Sequence, residues 1–569
     1  MTMEMPWLSS YINVPVSLDY PDCSIAQLVL DTAAKYPNNA AYDFFEAKAT
    51  YREFADEIKL CARGLKAIGI GCGDRVTICM PNTPQAIVMV YALNLIGAVA
   101  NMVHPLSAPE ELVRYMSDSD SVAALTLDQF CPKLNGILPR TPVKTLIVCG
   151  IEDGLRGIKK PLYKLTKGRK IERRPSQGAI LRYSDLRARA LGYTGEIDAK
   201  TRGEDIAAIL YSGGTSGESK GILLTNLNIN ALAMQTVAAS DCTKPGHKML
   251  ALMPVFHGFG LGVCIHTAMY FGGTCILVPQ FSIESYARLL HKYKPHYIPG
   301  VPTLFEALLR LKNIGKLDLS QLEGVFCGGD TLTVDLKRRV DKFLKDHGST
   351  EQIREGYGMT ESVTASCLTP RTFHKEGSIG IPYPDMYYKI VRHGTQEALP
   401  YGEDGEIVVS GPTVMKGYDG DEAETAKTLQ THADGRVWLH TGDLGMMDEN
   451  GFVYFRQRIK RMIISSGYNI YPSQLENIIE QHEKVHISCV IGVPDDYKMQ
   501  SIKAFIVLRD GQEVTDEIKA SILEHCRQNI AKYSLPQEFE YRAELPRTMI
   551  GKVAYTELER EEEAKREGL

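Results

Sequence analysis

The sequence predicts an α/β protein with a large N-terminal part of covered parallel sheets, a small β-rich unit, and a small α+β C-terminal part. Three observations carry this. In the first half, amphipathic helices alternate with short apolar runs, the rhythm of a parallel sheet covered on both faces, whose ligands bind outside the carboxyl ends of its strands. From about Tyr387 the texture changes to short alternating strands and tight turns. Beyond Arg458, helices and strands mix again over roughly 110 residues, the size of one small domain. The main boundary is placed at 458–461, giving domains 1–457 and 458–569.

Thr50-Tyr-Arg-Glu53 has capping-box spacing, and Phe54, Ile58, Cys61, Leu65 and Ile68 follow at steps of four and three, which predicts a helix with one apolar stripe. Gly69 and Gly71 end it. An apolar run at 76–80 reads as a strand, a helix opens at Pro84, a second apolar run covers 98–103, and Pro109 opens another helix. The uncharged stretches 86–103 and 249–283 are long enough to be mistaken for membrane spans. Asn94 and Asn101 interrupt the first. The second carries Gly258, Gly260, Gly262, Gly272 and Gly273 with two prolines and two histidines, breaks whose polar groups a lipid-exposed backbone could not satisfy. Both are read as buried strands and covered helices. In the β-rich unit, strands are expected at 389–392, 406–410 and 452–456, with a Gly-Glu-Asp-Gly turn at 402–405. The last part mixes helices and strands over 475–481, 488–493, 503–508 and 517–529, and the charged end from Glu557 reads as a solvated helix face.

The chain has 569 residues, 44% hydrophobic and 23% charged, which fits globular and not disordered usage. Its 64 Lys and Arg against 69 Asp and Glu leave a net charge of −5, so there is no surplus to neutralise a phosphate backbone, and no nucleic-acid partner is expected. Thirteen Cys with no C-x-x-C spacing signal neither a disulfide framework nor a zinc pair and fit a reducing compartment. No basic residue precedes Lys35, so the n-region of a signal peptide is missing and a cytoplasmic location is expected.

The segment Tyr211-Ser-Gly-Gly-Thr-Ser-Gly-Glu-Ser-Lys220-Gly221 follows an apolar strand at 206–210 and is expected to precede a helix. Glycine lets backbone approach an anion, hydroxyls donate to phosphate oxygens, and Lys220 supplies a mobile charge, so this reads as a phosphate loop. No Gly-Lys-Ser/Thr closes it, so it is not a Walker loop; a flexible connector is the bland alternative. Downstream, Glu355-Gly-Tyr-Gly-Met-Thr-Glu361 sets an aromatic ring between glycines, followed by a hydroxyl and a carboxylate, suited to base stacking, a phosphate contact and a magnesium ligand. Thr441-Gly-Asp443 offers a carboxylate in a turn, as a ribose diol needs. Pro546-Arg-Thr-Met-Ile-Gly-Lys552 presents one lysine from a loop.

This ordered set resembles the adenylate-forming superfamily of acyl-CoA synthetases, aryl-CoA ligases, firefly luciferase and nonribosomal peptide synthetase adenylation domains, over nearly the whole chain. The resemblance implies two domains joined by a hinge, with ATP bound between them. It implies that Ser212, Gly213, Gly214, Thr215, Ser216, Gly217 and Lys220 hold the triphosphate, and that Gly328, Gly329, Asp330 and Tyr357 form the adenine site. Thr360 would contact the α-phosphate, Glu361 the Mg2+, and Asp443 and Arg458 the ribose. Lys460 matches the hinge, Gly467 the coenzyme A tunnel, and Lys552 the catalytic lysine. Ser219 replaces a common proline, Ile550 replaces a common Ser or Thr, and Ile464 and Ser466 stand where some members carry lysines; the last two argue against the luciferase-like and plant aryl-ligase branches.

Met253-Pro-Val-Phe-His257-Gly-Phe-Gly260 resembles the family's acyl-pocket segment, with His257, Phe259, Val263, Val301 and Met359 as apolar lining and Gly258 and Gly260 leaving room. Amino-acid-activating relatives usually carry Asp at the place of His257, so a fatty or aryl acid is expected; a buried core histidine is the alternative. The expected activity is an AMP-forming acid:CoA ligase using ATP, Mg2+ and coenzyme A on a small-molecule carboxylic acid. The alternatives are an acyl-AMP ligase serving a carrier-protein phosphopantetheine and a catalytically silent ATP- or acyl-binding protein. Finally, Lys159, Lys160, Lys164, Lys167, Arg169, Lys170, Arg173 and Arg174 face Glu172 alone, which reads as a solvated loop or as weak peripheral contact with anionic membranes through 159–174.

Overall fold

The helix expected after Thr50 runs over Tyr51–Ala67 in the computed structural model, which describes residues 4–171, 174–211, 219–311, 317–465, 468–495, 499–548 and 552–567. Thr50 Oγ1 accepts from the Glu53 amide, and the Glu53 carboxylate accepts from the Thr50 amide at 2.8 Å, so the capping box satisfies two of the helix's free amides. Phe54, Ile58, Cys61 and Leu65 are buried, and the helix packs on Pro84–Leu95 and Tyr183–Ala190. Gly64 permits that second approach: a Cβ there would lie 2.6 Å from the Leu186 carbonyl.

Among the described residues there are four sheets. In the first, Val99–Met102, Arg75–Cys79, Ala123–Leu127, Thr145–Cys149 and Ile180–Arg182 run parallel in that spatial order, and Ile206–Tyr211 joins them beside Val99–Met102. In the second, Lys248–Ala251, Tyr297–Gly300, Gly324–Cys327 and Ile353–Tyr357 run parallel, with Thr274–Leu277 and Ala40–Phe44 continuing the parallel run on the other side. The β-rich unit is antiparallel: Tyr387–Val391, Gly405–Ser410, Val437–Met447 and Leu429–Thr431 in order, with Val453–Arg458 also paired to Val437–Met447. A 3-10 turn at Ile459–Arg461 leads to the last sheet, built on Val485–Asp495 and Met499–Leu508. Helices Pro472–Glu480 and Asp516–Asn529 cover it, and its own core includes Leu475, Ile479, Val490, Ile502 and Ile522. The molecule is thus an α/β protein with a large N-terminal body and a smaller C-terminal one.

Neither long apolar stretch is one element. Residues 86–103 are shared between the buried helix Pro84–Leu95 and strand Val99–Met102. Residues 249–283 divide into strand Lys248–Ala251, a π-helix at Phe259–His266, helix Thr267–Tyr270 and strand Thr274–Leu277. Among the described residues no helix is long and apolar enough to cross a membrane.

Two local expectations fail. The segment after 211 leads into a strand, not a helix: Gly221–Thr225 pairs antiparallel with Ile206–Tyr211, register Tyr211 to Gly221, and the helix Asn226–Ser240 starts only after Thr225 caps it. The apolar Ile-Leu-Leu run at 222–224 prefers the sheet. Asp443 does not sit in a turn; it lies within Val437–Met447, where Gly442 adopts φ +68° and the pairing register with Gly405–Ser410 shifts. Glycine's tolerance of positive φ lets the strand bulge and continue.

Candidate active site

A cavity of about 480 Å³ opens between the large body and the C-terminal one, and Gly329, Asp330, Tyr357, Asp443, Arg458 and Lys552 all line it. The carboxyl ends of Gly324–Cys327 and Ile353–Tyr357 deliver the first three. Asp443 and Arg458 are cross-strand partners on neighbouring antiparallel strands. Gly329 has φ +82°, the region open to glycine. A Cβ at Gly328 would stand 3.0 Å from the Gly356 carbonyl, so the two strand ends close tightly there.

Asp443 is 1% exposed. The Tyr357 hydroxyl donates to its Oδ2 at 2.6 Å, and Arg458 Nε stands 3.3 Å from Oδ1. Burial pushes the carboxyl above its usual range, while Arg458 first and then Tyr357 pull it back. Oδ1 accepts no hydrogen bond from the described residues. Asp443 lines the cavity with one carboxylate oxygen that is charge-paired with Arg458 yet accepts no hydrogen bond from the described residues, and such a group suits a ligand that brings hydroxyl groups. Behind it, Glu406 accepts from the Gly442 amide at 3.1 Å and meets His440 Nδ1 at 3.1 Å, while His440 Nε2 meets His432 Nε2 at 2.9 Å. An ionised Glu406 requires Nδ1–H on His440, and where that ring is neutral its Nε2 accepts from Nε2–H of His432. His432 Nδ1 is left as a lone-pair site with no hydrogen-bond partner among the described residues, as this tautomer chain requires.

Lys552 is half-buried near Asp330 and Asp443; its partial burial, with the charge of Arg458, pulls its pKa down while those carboxylates hold it up. Its amide donates to Thr548 Oγ1 at 3.1 Å and its carbonyl accepts from the Thr548 amide at 2.7 Å, so Thr548 closes the lysine's loop with a hydroxyl. Position 550, where the hydroxyl was expected to be missed, lies outside the described residues.

Thr360 and Glu361 open a 3-10 turn, Thr360–Ser362, that ends on Val363 at φ +64°, an outlier for a β-branched residue. Packing holds it: Val363 is fully buried, and a Cβ at Gly258 would fall 1.7 Å from its carbonyl. Gly260 is filled in the same way by the Pro254 carbonyl. These two glycines therefore admit close backbone contact and give no room to an acyl chain, a correction to their expected part. Glu361 is buried, which raises its pKa, and it accepts from the Tyr418 hydroxyl at 3.0 Å. Lys220 lies 5.0 Å from the centre of the Tyr418 ring, and its ammonium is 2.7 Å from Glu424. Tyr418 thus stands between Lys220 and Glu361. No cluster of three His, Cys, Asp or Glu able to hold a metal occurs among the described residues. A single buried carboxylate fits Mg2+, which commonly binds one or two carboxylates together with substrate phosphates.

His257 Nδ1 accepts from the Phe259 amide at 3.2 Å, which leaves the proton on Nε2. Burial, helped by the charge of Lys552, pushes its pKa down to about 4, so the ring is neutral. Phe259 and Val263 are buried in one apolar cluster, with Val301 and Met359 packed against it. His257 and these four do not line the 480 Å³ cavity. Lys460 sits in the turn Ile459–Arg461 between the two bodies. Residues Ser212, Gly213, Gly214, Thr215, Ser216, Gly217 and Gly467 lie outside the described residues.

Sequence reasoning missed Tyr418, the His440–Glu406 pair and the role of Glu355. Glu355 lines the cavity, burial pushes its carboxyl up to about 8, and its Oε1 accepts from the Leu332 amide at 3.5 Å. Only its place before Gly-Tyr357 could have drawn attention to it.

Residues 29–419 match the family described as AMP-binding enzyme, and residues 474–552 match its AMP-binding enzyme C-terminal domain. A long-chain-fatty-acid–CoA ligase of Bacillus subtilis is 34% identical over 99% of both chains, and one of Salmonella typhimurium is 31% identical over 99% of both. The crystal structure of ATP-bound MatB from Rhodopseudomonas palustris superposes with a TM-score of 0.80 at 25% identity, covering 94% of this chain and 98% of that one.

Proposed function

The chain belongs to the AMP-binding enzyme family, and from that premise we propose that it is an acid:CoA ligase whose acid is a long-chain fatty acid. A carboxylate oxygen attacks the α-phosphorus of ATP, the bond to the β-phosphate breaks, and pyrophosphate leaves; the coenzyme A thiol then attacks the acyl-adenylate carbonyl and AMP leaves. The observation that carries this is the convergence of Asp443, Arg458 and Lys552 on one cavity. Asp443 accepts the ribose hydroxyls on its unfilled oxygen, and Tyr357 holds it while its ring meets the adenine. Lys552 offers its charge to the phosphoryl oxygens as negative charge builds there, a preorganised stabilisation commonly worth several kcal/mol. Glu361, held by Tyr418, would bind Mg2+, which when present neutralises phosphate charge. The 212–217 segment with Lys220 takes the triphosphate, and Thr360 the α-phosphate. The acid lies on the side of His257, Phe259, Val263, Val301 and Met359.

The same reading divides the chain into 1–457 and 458–569, turning about Lys460 so that Lys552 withdraws and the Gly467 side serves coenzyme A. The fatty choice over the aryl one rests on the relatives' names. It also draws on helix Lys159–Leu165, which presents Ile158 at 83% and Leu165 at 75% exposure with Leu162 on the same stripe. Apolar residues amid basic ones fit weak docking on anionic membrane, where fatty acids partition. Lys159 is partly spent on Glu46 and Lys160 on Asp153.

A panel of acids from short to long aliphatic chains, with benzoates, tested for pyrophosphate release and for acyl-CoA, decides the matter. Turnover that rises with chain length supports the proposal. Acyl-AMP formed without acyl-CoA would transfer the acceptor to a carrier protein, and no AMP with any acid would make the chain a silent binder.

A further inference from the structure

Along one part of the same cavity's lining, which includes Glu306, Arg310, Asp335, Arg339 and His486, the two bodies meet through charges that the chemistry above does not use. Glu306 lies on helix Pro302–Leu309 and Arg310 follows it; Asp335 and Arg339 lie on helix Val334–Asp346. From the C-terminal body come His486 on Val485–Asp495 and Arg509 just after Met499–Leu508. Arg339 ties the N-terminal side together, with Nε 2.8 Å from Asp335 and its guanidinium paired with Glu306.

Arg509 Nη2 donates to Asp335 Oδ2 at 3.2 Å, and Arg310 Nη2 lies 2.6 Å from His486 Nε2, so both contacts cross between the bodies. A guanidinium has no acceptor, so His486 must accept through Nε2 as a neutral ring.

We propose that Asp335–Arg509 and Arg310–His486 form a latch that holds the C-terminal body where Lys552 reaches the nucleotide cavity, and that the latch opens before the thioester step. The inference rests on the domain rotation proposed above. Its strength suits the task. The Asp335 and Arg509 side chains are 38% and 31% exposed, a setting in which an ion pair contributes little and exchanges readily with water. Such contacts bias an equilibrium without freezing it, which a joint opened at every turnover requires. These four are positioning residues: Arg310, Asp335 and His486 line the cavity, and the polar contacts that define the latch are the ones they make with one another and with Arg509.

The test separates the two half-reactions in single turnovers: adenylate formation from ATP and acid, and acyl-CoA formation from supplied acyl-adenylate and coenzyme A. In Arg310→Ala/Arg509→Ala the ratio of thioester rate to adenylation rate should rise about threefold to tenfold, the combined weight of two half-exposed contacts. Arg509→Lys, which keeps the charge, should stay near wild type. An Ala pair that leaves the ratio unchanged, or slows both halves alike, overturns the latch. Lys552→Ala, measured alongside, should slow adenylation alone; if it slows both halves equally, the rotation itself fails, whatever the arginine variants show.

Discussion

Replacing Tyr357 by Phe removes a single oxygen from the site and leaves the ring in place. That oxygen donates to Asp443 Oδ2 at 2.6 Å, while Oδ1 accepts no hydrogen bond from the described residues. The ionised form of a carboxylate this buried rests on Arg458 and on this bond. A hydrogen bond to a charged group contributes about 1.5–3 kcal/mol, and about 1.4 kcal/mol is a factor of ten, so the variant should bind ATP about tenfold to a hundredfold more weakly near neutral pH. The dependence on pH has a definite sign. Because the folded-state pKa is already raised, the folded protein holds this proton more tightly than the unfolded chain. Stability at this group is therefore lost as pH rises from the ordinary carboxylate range through the raised value. Loss of the phenol raises that pKa further, so the ATP deficit should be largest on the acid side and narrow as pH rises. Calorimetric titration of ATP into both proteins from the ordinary carboxylate range up past neutral pH gives the ratio directly. Equal affinities throughout, or a deficit that does not change with pH, would refute the reasoning that ionised Asp443 receives the ribose.

Other consequences are simpler to state. Glu361→Gln keeps the shape and removes the anion, so the Mg2+ needed for half-maximal pyrophosphate release should rise about tenfold with acid binding unchanged; Mn2+ binding followed by magnetic resonance in the presence of ATP is the second readout, and unchanged values in both would discharge Glu361 from the metal. His440→Phe strips Glu406 of one partner, and the loosened Gly442–Asp443 bulge should raise the ATP KM about fivefold with little change in kcat; a fall in kcat alone would count against a positioning part. Vesicles rich in anionic lipid should sediment the protein at low salt and release it at high salt, and no binding at low salt ends the membrane proposal.

The sequence made the scaffold legible because periodicity reports burial directly. The capping box at Thr50, the stripe from Phe54 to Leu65 and the turn from apolar runs to alternation near Tyr387 each reappear as structure. Order and residue type also led to Tyr357, Asp443 and Lys552, since chemistry demands a ring, a carboxylate and a cation, while Arg458 came only from the family resemblance; the structure brings all four to one cavity. What stayed hidden depends on partners far apart in the chain. Glu406 and His440 are 34 positions apart and meet because their strands pair. Glycines at 258 and 260 signal space in a sequence, but only the fold shows that the carbonyls of Val363 and Pro254 occupy it. Similarly, an apolar Ile-Leu-Leu run after a glycine loop satisfies helix and strand templates alike, and pairing with Ile206–Tyr211 decides for the strand.

The pairing of Lys220 with Glu424 bears on how the reaction ends. In the proposed cycle Lys220 faces the triphosphate and would be left with an uncompensated charge once pyrophosphate departs. Glu424, 2.7 Å from the ammonium and on the first turn of helix Glu422–Thr428, is a resident counter-ion ready to take it back. Product and carboxylate therefore compete for one cation, and the competition lowers the hold on pyrophosphate as soon as it is free to move. In the proposed cycle the hairpin is in this way equipped for emptying as well as for filling.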